Sequence, residues 1–171
     1  MHLMIDLETL ATSPNAAILT IGACKFDPKA QDIHSKFYER IILDTQESYG
    51  RIINEDTLKW WGQQDKQIQE DAFGEGDDRI DLKDAMKKLY TFGLGTTNVW
   101  SHGSIFDVVI IEDVCRAFQQ AVTWKFWEVR DTRTLFDLAN VDVRIEGKHN
   151  ALTDALAQAQ AVQKAYSILI K

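Results

Sequence analysis

No stretch of this sequence approaches the ~18 consecutive apolar residues that a membrane-spanning helix needs, and the amino terminus shows neither a basic segment nor a long apolar one. The chain therefore reads as neither membrane-inserted nor exported, and a cytoplasmic location is expected, the host cytoplasm if a phage encodes it. Cysteine is scarce: Cys24 and Cys115 form no C-x-x-C pair, and both sit in apolar stretches. That excludes a disulfide scaffold, and two buried free thiols are expected. No G-x-x-x-x-G-K-[ST] or G-x-G-x-x-G occurs, so nucleoside-triphosphate hydrolysis and dinucleotide chemistry have no foothold. Ser101, His102, Ser104 and Asp107 crowd one segment without a G-x-S-x-G elbow, which argues against a serine hydrolase. Positive charge is also short, with 19 Lys and Arg against 26 Asp and Glu and a net charge of −7. Lys125, Arg130, Arg133, Arg144 and Lys148 are interleaved with acids, so the sequence shows no basic patch, and the charge deficit argues for local binding at strand ends rather than a long basic groove.

What is present suffices for one domain over residues 1–171, because 45% hydrophobic content fills a sizeable core at this length. Apolar runs predict strands at 2–7, 17–26 and 33–43, joined through Ser13-Pro14-Asn15 and Asp27-Pro28-Lys29 as a three-stranded meander. Helical periodicity follows at 55–72 and 81–93, separated by Gly74-Glu75-Gly76-Asp77-Asp78. A strand at 97–101 leads into a helix at 105–119 with Val108, Ile111, Cys115 and Phe118 on its apolar face. A strand near 127–130, a helix at 132–139 and a long final helix complete an α/β mixed sheet flanked by helices. Leu152, Leu156, Ala159, Val162, Tyr166 and Leu169 fall near helical spacing in the last helix, which could pack internally or across a homodimer interface.

The informative residues are acids in apolar places. Leu3-Met4-Ile5-Asp6-Leu7-Glu8-Thr9 reads as a buried strand ending in charge. Strand side chains alternate, so Asp6 and Glu8 share a face, with Cα atoms roughly 6.5–7 Å apart. Two carboxylates on one buried face repel, and a hard divalent cation relieves the repulsion. Lys148-His149-Asn150-Ala151-Leu152-Thr153-Asp154 opens the final helix, placing His149 just before it, Asn150 at a capping position and Asp154 in its first turns. Asp107 opens the central helix after Trp100-Ser101-His102-Gly103-Ser104-Ile105-Phe106.

In that order, D-x-E at a strand end, Phe-Asp opening a central helix and H-x-A-x-x-D opening the last helix resemble the DnaQ-like 3′–5′ exonucleases of the DEDDh subgroup. The tyrosine-type subgroup would place tyrosine four residues before the last aspartate, where this chain has Asn150; the histidine lies five before. The likeness is nearest to compact phage and bacterial exonuclease-VIII-like members, partly through Trp60-Trp61-Gly62-Gln63-Gln64. The asparagine common before the second-motif aspartate in that subgroup is replaced here by Ser-His-Gly-Ser. The resemblance implies a ribonuclease-H-like fold and two Mg²⁺ (or Mn²⁺) ions held by Asp6, Glu8, Asp107 and Asp154. It also implies His149 as general base, since imidazole titrates near neutrality. Leu7 and Thr9 match positions that touch the terminal nucleotide, and Phe106, Trp61 and Gln64 are further candidate substrate contacts. The expected partners are 3′ ends of single-stranded DNA or RNA. Two other readings stay open: an endonuclease of the same fold, and a catalytically silent module that binds or docks nucleic-acid ends.

Overall fold

The computed structural model describes residues 1–74, 76, 78–142 and 149–170. Strands β1 (His2–Thr9), β2 (Ile18–Phe26) and β3 (Ile33–Ile41) form the expected antiparallel meander. Helices α1 (Glu55–Trp61) and α2 (Lys66–Phe73) follow, then a short strand β4 (Arg79–Ile80) and helix α3 (Leu82–Gly93). Strand β5 (Asn98–Ser101), helix α4 (Asp107–Ala117), strand β6 (Val129–Asp131) and helices α5 (Thr132–Ala139) and α6 (Ala151–Leu169) complete the order. The sheet runs β4-β3-β2-β1-β5-β6, with β5 and β6 parallel to β1 and β4 parallel to β3. It is the six-stranded mixed sheet of a ribonuclease-H-like α/β fold.

Side-chain alternation along β1 divides the core. Leu3, Ile5 and Leu7 face a layer that includes Met86 and Leu89 of α3 and Ile111 and Val114 of α4. Met4, on the other face, packs with Cys24, Trp100, Phe136 of α5 and the alanines of α6. Continuing along that second face, the next side chains are Asp6 and Glu8. The surface that buries hydrocarbon at Met4 thus becomes acidic two residues later, where α6 begins.

Helix α6 lies unusually close to the sheet. Gly22 pairs with Asp6 across β1 and β2, and a Cβ at Gly22 would coincide with backbone atoms of Ala151 and Leu152. The Cys24 thiol donates to the Ala155 carbonyl at 3.7 Å one turn further on. The face that packs inward is Ala151, Ala155, Ala159, Val162 and Ala165 rather than the leucine-rich one expected from periodicity. Leu152 and Leu156 are half-buried, and Leu169 is exposed. Small side chains win because only they permit this approach.

Three sequence expectations shift. The helix expected over 55–72 is two helices, because the chain turns after Gly62, and Gln69 Nε2 bridges the break by donating to the Gly62 and Gln64 carbonyls at 3.3 and 2.7 Å. Strand β3 stops at Ile41, after which Ile42 N–H bonds the Ile80 carbonyl and Gln46 caps the loop through Ile18. The strand expected at 127–130 begins with a single 3₁₀ turn, Phe126–Glu128. Cys24 and Cys115 are free and buried, as expected. Among the described residues no helix is long and apolar enough to cross a membrane.

Gly22→Ala is expected to destabilise the protein by about 3 kcal/mol or more, the upper range for overpacking, since backbone rather than a mobile side chain must move. Urea unfolding of the variant beside wild type measures it, and an unchanged midpoint would contradict the close packing described here.

Candidate active site

Strand β1 pairs with β5 only from His2 to Met4. Beyond Met4 the two strands part, and the freed Leu7 N–H donates to Asp107 Oδ1 at 3.1 Å. Asp107, the first residue of α4, is thereby buried at the carboxyl ends of parallel strands, the usual crevice of such sheets. On the other side, Asn150 Oδ1 accepts the Thr153 N–H at 3.1 Å and starts α6, as its position suggested. Asp154, one turn in, is buried on the helix face toward Glu8. His149 takes a left-handed backbone (φ 71°) and donates its N–H to Asp154 Oδ2 at 3.1 Å. Such a conformation is uncommon for a residue with a side chain; the imidazole lies near Glu8 and Asp154.

The resulting cluster joins three sequence-distant segments. A carboxylate oxygen of Glu8, one of Asp154 and a ring nitrogen of His149 lie within 4.8 Å of one another. Crowding is evident in the protonation equilibria. Asp6 is driven well above the ordinary carboxylate range by burial, then by Asp107 and Glu8, against the opposing hydrogen bond from Gln158. Glu8 is raised to about 8 by burial, then by Asp154 and Asp107. Asp107 rises to about 7 through burial, held back by the Leu7 N–H, its own backbone N–H, the Ser101 hydroxyl and the Arg133 charge. Asp6 and Glu8 both feel Asp107 and Asp154, so all four share one electrostatic site. A set of oxygen donors that cannot all ionise unaided suits a hard divalent cation, and the residues present fit one.

Gln158 escapes a reading based on acids alone. Its Nε2 donates to Asp6 Oδ1 at 2.8 Å and fixes that carboxylate, while its own Oε1 is buried without a hydrogen-bond partner among the described residues. The signal was an amide four residues after Asp154, on a face otherwise made of alanine.

A cleft of about 600 Å³ opens beside Glu8, lined by Leu7, Thr9, Trp60, Trp61 and Phe106 among others. The sequence candidates fare unequally in it. Leu7 and Thr9 are nearly covered, and Phe106 is half-buried, its ring shared between the cleft and the core. Trp61 is a wall more than a contact: it is 2% exposed and its indole N–H is spent on the Thr9 carbonyl at 2.9 Å. Trp60, passed over in the sequence, is 41% exposed and meets the His149 ring edge-on, with centroids 4.8 Å apart at 89°. Gln64 is not among the residues lining the cleft, because its amide donates to the Trp60 carbonyl at 3.0 Å and closes the end of α1. His102 shares a 2.8 Å hydrogen bond with the Thr132 hydroxyl and has a structural place at the end of β5. Lys148 and Arg144 lie outside the described residues.

Comparison with solved structures gives the fold. The nuclease domain of 3′hExo, a DEDDh family member bound to rAMP, matches with a TM-score of 0.62 at 14% identity, covering 97% of this chain and 91% of that one. Exonuclease I matches with a TM-score of 0.71 at 12% identity, covering 98% of this chain, which spans only 41% of the exonuclease I chain. The exodeoxyribonuclease of Enterobacteria phage T4 is 24% identical, over 77% of this chain and 68% of that protein. The protein is a 3′–5′ exonuclease, a hydrolase of phosphodiester bonds. Within that class it belongs to the family described as the 3′–5′ exoribonuclease Rv2179c-like domain, whose profile matches residues 1–166.

The raised acids set a pH dependence for the metal-free protein. A carboxyl whose folded pKa exceeds its unfolded value, about 4, opposes folding once it can ionise in the unfolded chain. In EDTA, stability from Glu8 and Asp107 is therefore fully present below pH ~4 and declines as pH rises through about 7 and 8. Mg²⁺ or Mn²⁺ is expected to raise the melting temperature more at pH 8 than at pH 5. Thermal unfolding across pH, with and without metal, checks both signs.

Proposed function

We propose that the protein removes nucleotides one at a time from the 3′ ends of single-stranded or frayed DNA or RNA, with two divalent cations and His149 as general base. The carrying observation is the convergence of Glu8, Asp154 and His149 within 4.8 Å, beside an Asp6 and an Asp107 that share their electrostatic field. Asp6, Glu8, Asp107 and Asp154 would hold the two ions, Mg²⁺ or Mn²⁺. When bound, these supply the charge stabilisation and water activation of two-metal phosphoryl transfer.

The chain itself has two further tasks. The His149 imidazole accepts the proton of the attacking water while the water oxygen joins phosphorus and the bond to the 3′ oxygen of the preceding nucleotide breaks. The products are a nucleoside 5′-monophosphate and a strand shortened by one, ending in a new 3′ hydroxyl. His149 is suited to the role by its anchors: its backbone N–H is tied to Asp154 and its ring leans on Trp60, with Trp61 at 6.2 Å behind. The cleft receives the terminal nucleotide, with Leu7 and Thr9 as its floor and Trp60 and Phe106 as aromatic sides. Aromatic surfaces accept any base, which suits degradation without sequence preference.

Digestion of 3′- and 5′-labelled DNA and RNA oligomers with Mg²⁺ or Mn²⁺ tests the reading. Stepwise release from the 3′ end, lost in EDTA and in Asp6→Ala, is expected, while a circular single strand stays intact; absence of cleavage on both polymers would overturn it. His149→Ala should bind metal normally yet lose about 10²–10⁴-fold in turnover, the usual range for a general base. Trp60→Ala should raise KM about 5- to 160-fold, as expected from losing ~1–3 kcal/mol of stacking, and should also lower turnover by loosening His149. Steady-state kinetics on one oligomer separates the two effects.

A further inference from the structure

We infer that Arg133 is the phosphate-binding residue that receives the strand upstream of the scissile bond, so that the site grips its substrate from both sides of the carboxylates. This rests on the nuclease reading above and adds a specificity element to it.

Position comes first. Arg133 is the second residue of α5, which springs directly from the end of β6. Its backbone N–H donates to Asp131 Oδ1 at 2.9 Å, and the other oxygen of Asp131 accepts the Ser104 N–H, tying the start of α5 to the turn that precedes α4. The arginine side chain lies on that turn: a Cβ built on Gly103 would sit 3.6 Å from Arg133 Nε and 3.7 Å from its Nη2. Gly103 has φ 109°, and its carbonyl accepts the Phe106 N–H at 2.9 Å, closing the turn that delivers Asp107. The guanidinium therefore rests against the approach to Asp107.

Commitment comes second. Arg40, Arg51 and Arg116 each form an ion pair with an aspartate, and Arg79 and Arg130 donate to backbone carbonyls. Arg133 forms no ion pair among the described residues, although it is exposed and its field reaches both Asp107 and His102. In a chain of net charge −7 an uncommitted guanidinium at the lip of an acidic site is unexpected as surface decoration. It suits a doubly hydrogen-bonded phosphate.

Direction comes third. The aromatic cleft lies on the α1 side of β1, whereas Arg133 lies on the β5 and β6 side. With the terminal base in the cleft and the scissile phosphate at the carboxylates, the remaining strand leaves across Gly103. A Cβ at that glycine would stand in van der Waals contact with the guanidinium, so Arg133 lies directly on the turn. The next phosphate upstream is then the one within reach of Arg133, and substrates that lack it lose the contact.

The test compares a dinucleotide, whose single phosphate is the scissile one, with a pentanucleotide of the same sugar. In wild type the pentanucleotide is expected to have the higher kcat/KM. Arg133→Gln should lower the ratio of pentanucleotide to dinucleotide kcat/KM about tenfold, acting on KM, and should reduce the slope of log KM against log salt by about one for the longer substrate. Arg133→Lys should recover part of the ratio, which loss of packing on Gly103 would not predict. Equilibrium anisotropy of a 5′-labelled pentanucleotide, in an Asp6→Asn background with and without Arg133→Gln, reads the same contact without turnover. An unchanged ratio and salt slope would overturn the inference while leaving the nuclease reading intact. Should wild type cleave neither substrate, the nuclease reading fails by itself, and equal anisotropy affinities would then overturn the role of Arg133 as well.

Discussion

The start of α6 touches the sheet at backbone distance, and the site is assembled by that contact. Gly22 lies opposite Asp6 in the β1–β2 ladder, and the peptide between Ala151 and Leu152 occupies the space its side chain would have filled. With the helix start fixed there, Asp154 falls beside Glu8, Gln158 reaches Asp6, and His149 has to enter through a left-handed turn. The alanines at 151, 155 and 159 serve the same end, since larger residues on that face would lift α6 and separate the carboxylates. A second contact works from the other side, where parting of β1 from β5 frees the Leu7 N–H to hold Asp107. Two backbone arrangements, one a close approach and one a split, thus bring four acids from three segments into one place.

That place is electrostatically unfavourable without a cation, which explains several side chains around it. Gln158, Ser101 and the Leu7 N–H all offset ionised carboxylates, yet together they leave Glu8 near 8 and Asp107 near 7. The fold tolerates this crowding because hydrocarbon burial at Met4, Cys24 and Ala155 lies on the same face of the sheet. A cluster of this kind is a poor stability element and a good cation trap, and the tension between the two is what a metal-dependent site requires.

The sequence carried most of the fold and the ionisable residues, and it lost detail where small residues or backbone geometry decide. Asp6, Glu8, Asp107, Asp154 and His149 were legible because acids in apolar runs are costly and therefore informative. Helix α6 was visible as a helix, but periodicity weighted Leu152, Leu156 and Leu169, whereas contact with Gly22 selects the alanine face; hydrophobicity scales do not register close approach. The break after Gly62 was hidden inside a continuous helical pattern. Trp60 and Trp61 were indistinguishable neighbours until the Thr9 carbonyl claimed one indole and left the other facing His149. Gln158 carries no charge and so gave no alarm. Arg133 sat among alternating charges in the sequence, and only the structure shows that it forms no ion pair among the described residues while the other described arginines are engaged.

An acidic protein can act on a polyanion when attraction is concentrated instead of spread. With a net charge of −7, a strand gains little from the surface at large. On the proposed reading its affinity comes from cations at the carboxylates, one guanidinium beside Asp107 and two aromatic rings at the cleft. All of these contacts involve the last nucleotides of a strand. Recognition is thereby confined to an end, because an internal segment would have to fold its chain into a cleft walled by Trp60, Trp61 and Phe106. The shortage of basic residues in this sequence and the preference for termini in this class of enzyme then share one physical basis: repulsion elsewhere on the surface sharpens the selection that the site begins.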